Sequence, residues 1–149
     1  MPSFKGTYEH TVDQKGRLSI PTRIRDTLNK DYGGGELSLT LSQDCIEVYP
    51  LLEWNKKEER LRNLPSFDSD VIKFIRKRYS DAFDCIMDRS GRILVPPYMR
   101  EKCGINSKVA IVGVMDHFEI WPLEKWTETM RETEGNMGTL MQKVAKLGV

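Results

Sequence analysis

The sequence predicts an α+β fold, rich in β-structure and built from two internal repeats with short flanking helices. Three observations carry that expectation. Asp13 to Arg25 reads Asp-Gln-Lys-Gly-Arg-Leu-Ser-Ile-Pro-Thr-Arg-Ile-Arg, and Asp88 to Arg100 reads Asp-Arg-Ser-Gly-Arg-Ile-Leu-Val-Pro-Pro-Tyr-Met-Arg; Asp, Gly, Arg, Pro and the final Arg stand at matched positions. Cys45 to Trp54 (Cys-Ile-Glu-Val-Tyr-Pro-Leu-Leu-Glu-Trp) returns as His117 to Trp126 (His-Phe-Glu-Ile-Trp-Pro-Leu-Glu-Lys-Trp). Several of the remaining segments alternate apolar and polar residues, the pattern of a half-buried strand. The offset between copies falls from 88 − 13 = 75 to 117 − 45 = 72, a loss of three residues assigned to the glycine loop Gly33–Gly35.

Size and composition fit this reading. A chain of 149 residues, 39 % of them hydrophobic, suits one medium domain or two small intertwined halves. A charged fraction of 30 % points to a soluble protein. Lys and Arg number 23 against 22 Asp and Glu, so the formal net charge is +1 and any basic surface must be local. No run approaches the roughly 18 apolar residues of a membrane span. Met1 to Tyr8 lacks a signal-peptide core, so a cytoplasmic protein without membrane association is expected. Cys45, Cys85 and Cys103 form an odd set without CxxC spacing, which fits reduced, mostly buried thiols.

Taken in order, Phe4, Gly6, Tyr8, His10 and Val12 fall on one side of a first strand, with Lys5, Thr7, Glu9 and Thr11 on the other. Tyr79, Phe83, Cys85 and Met87 are their counterparts in the second copy. Asp13–Gly16 and Asp88–Gly91 then read as tight turns. An Asp carboxylate accepts a backbone N–H two residues on, and Gly takes the positive φ such a turn needs. Short strands follow at Arg17–Ile20 and Arg92–Val95, ended by Pro21 and Pro96. Helices of about 8 residues are expected over Thr22–Asn29 and Pro97–Cys103, broken by Gly33–Gly35 and Gly104. Leu37, Leu39 and Leu41, then Ile46 and Val48, mark a strand pair; Val109–Val114 with Phe118 and Ile120 mark its counterpart.

Helices are expected to start near Leu51 and Leu123, with Leu51, Trp54, Leu61 and Leu64 on one face of the first and Pro65 stopping it. A second helix is expected over about Asp68–Tyr79, where Val71, Phe74, Ile75 and Tyr79 have helical spacing, interleaved with Lys73, Arg76, Lys77 and Arg78. The expected organisation is a first repeat at 4–60, a linking helix at 61–78, a second repeat at 79–132 and a tail at 133–149. The tail is glycine-punctuated, and Met137, Leu140, Met141, Val144 and Leu147 suit a short marginal helix.

A strand–turn–strand bearing basic side chains can present a rigid fork to double-stranded DNA. Lys and Arg neutralise phosphates, and Arg can hold the O6/N7 edge of guanine through two hydrogen bonds. The candidates are Lys15, Arg17, Arg23 and Arg25 in the first copy and Arg89, Arg92 and Arg100 in the second; Asp13, Gly16, Asp88 and Gly91 shape the turns. The plainer alternative is that Asp13 pairs with Arg17, and Asp88 with Arg92, on a solvated surface. Tyr49, Trp121, Trp54 and Trp126 sit at strand ends and helix starts, where packing is favoured over base stacking. Glu47 and Glu119 recur inside apolar strands and need a partner, an Arg across a subunit contact being one candidate. His10, His117 and the cysteines match no zinc pattern, and no nucleophile–base pair, phosphate loop or paired-carboxylate signature appears. No catalytic residue, metal, cofactor or small-molecule substrate is therefore expected.

These motifs carry a resemblance. Phe4-Lys-Gly, Asp13 to Pro21, Cys45 to Pro50 with Trp54, Asp88 to Pro96, and Phe118 to Trp121 with Trp126 resemble the MraZ family of bacterial transcriptional regulators. The similarity runs to about residue 132, and the duplicated Asp-x-x-x-Arg is its specific part. One copy alone would resemble only the wider AbrB/MazE-like group. The resemblance implies a double-split or swapped-hairpin β-barrel made of two AbrB-like halves. It implies ring-shaped homo-oligomers, commonly octamers, located with the nucleoid. It also implies repression of the family's own division and cell-wall operon, through short guanine-rich direct repeats in the promoter. Arg17, Arg25, Arg92 and Arg100 match basic positions that AbrB-like proteins use on DNA, and Lys15 sits in the matching turn. Asp26 and Glu101 depart from the basic pattern of AbrB, and Ser90 replaces the turn lysine. A rival reading of the same fold is an antitoxin-like protein-interaction module.

Overall fold

A computed structural model describes residues 1–149. The strands are β1 (Thr7–Thr11), β2 (Arg17–Ser19), β3 (Glu36–Leu41), β4 (Ile46–Pro50), β5 (Phe83–Ile86), β6 (Arg92–Leu94), β7 (Lys108–Val114) and β8 (His117–Pro122). The helices are α1 (Thr22–Asp31), α2 (Leu51–Arg62), α3 (Ser69–Ser80), α4 (Pro97–Cys103), α5 (Leu123–Gly135) and α6 (Met137–Ala145). No helix is long and apolar enough to cross a membrane.

The repeats do not sit side by side; they exchange strands. An antiparallel six-stranded sheet runs β1-β7-β8-β4-β3-β5, and β2 pairs with β6 in a separate two-stranded ribbon. Thus β1 of the first copy edges the hairpin of the second, and β5 of the second edges the hairpin of the first. The order is palindromic about the β8–β4 contact. There Glu47 pairs with Glu119, flanked by Ile46 with Ile120 and Val48 with Phe118. In the ribbon Leu18 pairs with Ile93, its own counterpart in the other copy. An internal two-fold axis therefore passes through both pairs.

The six-stranded sheet is open, so the strand pairing does not close the expected barrel. At Asp13 the chain leaves β1, and Arg17–Ser19 finds its backbone partners on β6 instead of turning back along the sheet edge. Three-residue strands are too short to close a ladder between β1 and β5. Side chains close the gap instead. Leu18 and Ile93 from the ribbon, Ile24 and Leu28 from α1, and Met99 from α4 share one buried cluster with Leu37, Leu39, Val48, Ile111, Phe118 and Ile120 of the sheet.

Local chemistry explains the element ends. Pro21 and Pro96 cap α1 and α4, and Gly104 closes α4 in the left-handed region at φ 75°. The Asp68 carboxylate accepts from the N–H groups of Asp70 and Val71 and starts α3. Several boundaries differ from expectation. Helix α1 runs on to Asp31, and its end is closed on Leu28 O, which accepts from the N–H groups of Tyr32 and Gly34, both at 3.1 Å, with Gly33 at φ 71° between them. The connecting helix, expected over about Asp68–Tyr79, is Ser69–Ser80; Leu61 and Arg62, which fell in the expected 61–78 linker, belong to α2, and Leu64 lies past its end and is exposed. Beyond residue 132 the chain stays helical through Gly135 and again over Met137–Ala145, with Asn136 at the joint. Of α2, α3, α5 and α6, only Trp54 is buried.

Because each copy completes the other's sheet, neither has a separate core to keep folded. Urea denaturation should show one cooperative transition, and two resolved transitions would contradict the exchange. Leu18→Ala, at the axis, should lower stability by about 2–5 kcal/mol without splitting that transition.

Candidate nucleic-acid interface

The two Asp-x-x-Gly-Arg turns are built alike. Asp13 Oδ1 accepts from the backbone N–H of Lys15 at 2.9 Å and of Arg17 at 2.8 Å, while Oδ2 accepts from Arg17 Nε at 2.7 Å. The Gly16 N–H donates to Asp13 O at 2.9 Å, with Gly16 at φ 85°. In the second turn Asp88 Oδ1 accepts from the Arg92 N–H at 2.9 Å and Oδ2 from Arg92 Nε at 3.3 Å; Gly91 stands at φ 78°. The backbone N–H of Arg17 holds the Asp13 carboxyl below its ordinary value; desolvation opposes it, and the Arg17 side chain and the Lys15 N–H add to the lowering. Arg92 does the same for Asp88, again chiefly through its backbone N–H.

So turn shaping and Asp–Arg pairing are one arrangement, not alternatives. Each pair is exposed and contributes little to stability. Its directional effect matters more. Arg17 and Arg92 are held through Nε alone, so their Nη groups are left for another acceptor. The ribbon aims them. Leu18 and Ile93 face the core at 0 % and 2 % exposure, so alternation turns Arg17, Ser19, Arg92 and Leu94 outward together.

The two turns also lock each other. Ile20 N–H donates to Gly91 O, and Val95 N–H donates to Gly16 O, both at 2.8 Å. The Arg25 side chain crosses over Gly91, where an added Cβ would collide with its Cδ. Arg100 crosses over Gly16, with an added Cβ falling 3.1 Å from its guanidinium and 2.8 Å from Val95 O. Each turn is therefore roofed by an arginine of the other repeat. Arg25 Nε is buried without a hydrogen-bond partner, while its Nη2 donates to Thr22 Oγ1 at 3.0 Å. The 75-residue offset identifies Arg25 and Arg100 as equivalents. It holds no sign that each serves the opposite copy.

Lys15 and Arg89 are exposed on the turns beside Arg17 and Arg92. Arg23 stands apart: it shares a groove with Ser3, Lys5 and Thr27, on the side of α1 away from Arg25. The aromatic residues pack against one another. Tyr49 stacks on His117 at 4.7 Å, Trp54 lies 5.4 Å from Tyr79, and Trp121 meets Trp126 edge-on at 5.3 Å. The partner of Glu47 lies within the chain: Arg78 Nη1 sits 2.6 Å from Glu47 Oε1, at an angle that leaves this oxygen without a hydrogen bond. Glu47, Glu119 and His117 converge within one cluster that sequence spacing does not reveal. Burial pushes the cysteine thiols up, to about 12 for Cys85 and about 11 for Cys103, so both are protonated at neutral pH.

The turn carboxylates favour the folded form when ionised, because their folded values lie below the unfolded ones. That stability is present above the ordinary Asp range and is lost as pH falls through the lowered values. NMR titration should place the Asp13 and Asp88 midpoints below 3.8. Gly91→Ala should destabilise the second turn through its positive φ and displace Arg25, visible as shifted Arg25 side-chain resonances.

Comparison with known proteins agrees with the duplicated architecture. The family model described as "MraZ protein, putative antitoxin-like" matches residues 3–76 and again 79–144. A protein named transcriptional regulator MraZ from Moorella thermoacetica is 39 % identical over 147 residues, 98 % of this chain and 99 % of that protein. Proteins of the same name from Pediococcus pentosaceus and Clostridium acetobutylicum are each 37 % identical over 147 residues, with the same coverage. Matched over both repeats and along nearly its whole length, the chain belongs to the MraZ family.

Proposed function

We propose that this protein is a DNA-binding transcription regulator that reads double-stranded DNA with the β2–β6 ribbon and its two turns. The observation that carries this reading is the pair of outward guanidinium groups, Arg17 and Arg92, each anchored at Nε and free at Nη. The major groove admits a two-stranded ribbon, and a free Nη fork suits a guanine edge. Lys15 and Arg89 flank the forks and take phosphates. Arg25 and Arg100 act mainly by holding the opposite turns, with their guanidinium groups at the rim. Arg23 is the weakest candidate, because its groove lies away from the turns.

One ribbon offers few contacts, so affinity for promoter DNA requires several ribbons acting together. The reading therefore includes a ring-shaped homo-oligomer, an octamer in its commonest form, on guanine-rich direct repeats of the promoter of its own division and cell-wall operon. It acts in the cytoplasm at the nucleoid, as a repressor and without catalysis. The two repeats at 4–60 and 79–132 each contribute one turn to the reading head. An antitoxin-like role has one feature in its favour, the exposed apolar row Met137, Leu140, Met141 and Val144 on α6. That row is helical here, and the folded turns give the DNA reading the more specific chemistry.

A mobility-shift assay on DNA upstream of the protein's own gene, with repeats intact or scrambled, tests the proposal. Arg17→Ala should weaken specific binding by about 1–3 kcal/mol, roughly 5- to 150-fold, with oligomer size unchanged. Unaltered affinity would remove Arg17 from the interface. Lys15→Ala should instead weaken all sequences alike and flatten the log–log salt slope by about 1. Light scattering should give a mass several times 17.3 kDa; a stable monomer would end the ring.

A further inference from the structure

We propose that Glu47, His117 and Glu119 form a binding site for one divalent transition-metal ion of the zinc–manganese kind, at the internal two-fold axis of the chain. The site is independent of the DNA reading and lies on the sheet, not on the ribbon.

The observation that calls for a cation is the strand register. Glu47 and Glu119 are direct cross-strand partners on β4 and β8, with side chains only 14 % and 18 % exposed. Like charges directly opposite on a sheet are destabilising, more so when removed from water. The flanking groups do not neutralise both. Arg78 attends to Glu47 Oε1, and the Trp121 Nε1–H, a neutral donor, satisfies Glu119 Oε1 at 2.9 Å. The two Oε2 atoms remain, and both face His117 Nε2, at 3.7 Å from Glu47 and 3.4 Å from Glu119.

The outer groups are arranged as around a metal. Asp116 Oδ1 lies 2.8 Å from His117 Nδ1 and would accept its N–H in the metal-bound form, leaving Nε2 to face the ion. Lys57 Nζ in turn lies 3.3 Å from Asp116 Oδ2. Arg78 and Trp121 play the orienting role for the two glutamates. Each of the three donors thus has one atom fixed from outside and one atom aimed at a shared point. One ligand atom from each of the three residues lies within 4.8 Å of those of the other two. Tetrahedral donors at bonds of ~2.1 Å stand about 3.4 Å apart, so only small movements are required. One imidazole and two carboxylates suit a borderline ion such as Zn²⁺ or Mn²⁺. Three protein ligands leave a further position for water. The ion would tie β4 of one repeat to β8 of the other where they meet on the axis. The sequence hides the set, because Cys45 occupies the first-copy position equivalent to His117.

The rival occupant is a proton. An imidazolium at His117 would bridge the carboxylates without any metal. The full-length protein, stripped with EDTA and dialysed into reductant-free buffer, is titrated with ZnCl₂ by calorimetry and with MnCl₂ by EPR. The expected result is one ion per chain, a raised thermal midpoint, and paramagnetic broadening of the His117 ring resonances by Mn²⁺. Glu119→Gln preserves an acceptor for Trp121 and should keep the fold while lowering affinity at least tenfold. Asp116→Asn should lower it by about 10- to 100-fold through the histidine. His117→Gln, checked for folding by circular dichroism, should abolish the site. Absence of stoichiometric binding to the wild-type chain would assign the cluster to the proton and overturn the proposal. Zinc bound equally well by Glu119→Gln would belong to the thiols and overturn it too.

Discussion

Strand exchange about the internal axis is the constraint on which the rest of this molecule depends. A lone copy of the repeat would leave a hairpin without its edge strand and a three-residue strand without a partner. Each copy supplies what the other lacks. The antiparallel register makes this self-consistent, because Leu18 meets Ile93 and Glu47 meets Glu119, each its own counterpart. A slip of one residue would turn Leu18 and Ile93 out to water and Arg17 and Arg92 into the core. The hydrophobic pattern therefore fixes the orientation of the basic face.

That face follows from three layers of control. Asp13 and Asp88 bend the backbone and hold one nitrogen of each arginine. The ribbon sets which way the arginines project. Arg25 and Arg100, from the opposite repeats, roof the turns and require glycine beneath them. A near-neutral chain can thus carry a concentrated basic surface, since the charge is local and geometrically fixed. Away from it, carboxylates opposed on the sheet axis are tied to His117, Arg78 and Trp121.

The single-residue patterns were legible wherever a rule is local. The turn at Asp13–Gly16, helix α4 with its Gly104 end, and the alternating strands all follow from side-chain period, proline and glycine. The ends of α1 and α3 shifted by up to two residues, because final turns depend on caps such as Tyr32 and Asp81. The apolar row through Leu61 and Leu64 suggested a buried face that the fold leaves outside the core. Periodicity marks an amphipathic helix but does not name what covers it.

By itself the sequence determined the duplication, the turn chemistry and the identity of the basic positions, since each depends on residues adjacent along the chain. It also placed Glu47 and Glu119 as charges in need of partners. Only the tertiary structure decided that the copies exchange strands and that the ribbon stands apart from an open sheet. It alone showed that Arg25 serves the second turn and Arg100 the first, that Arg23 stands away, and that His117 joins both glutamates. The reason is distance along the chain: these contacts join residues tens of positions apart, and their geometry is set by how two sheets share one core.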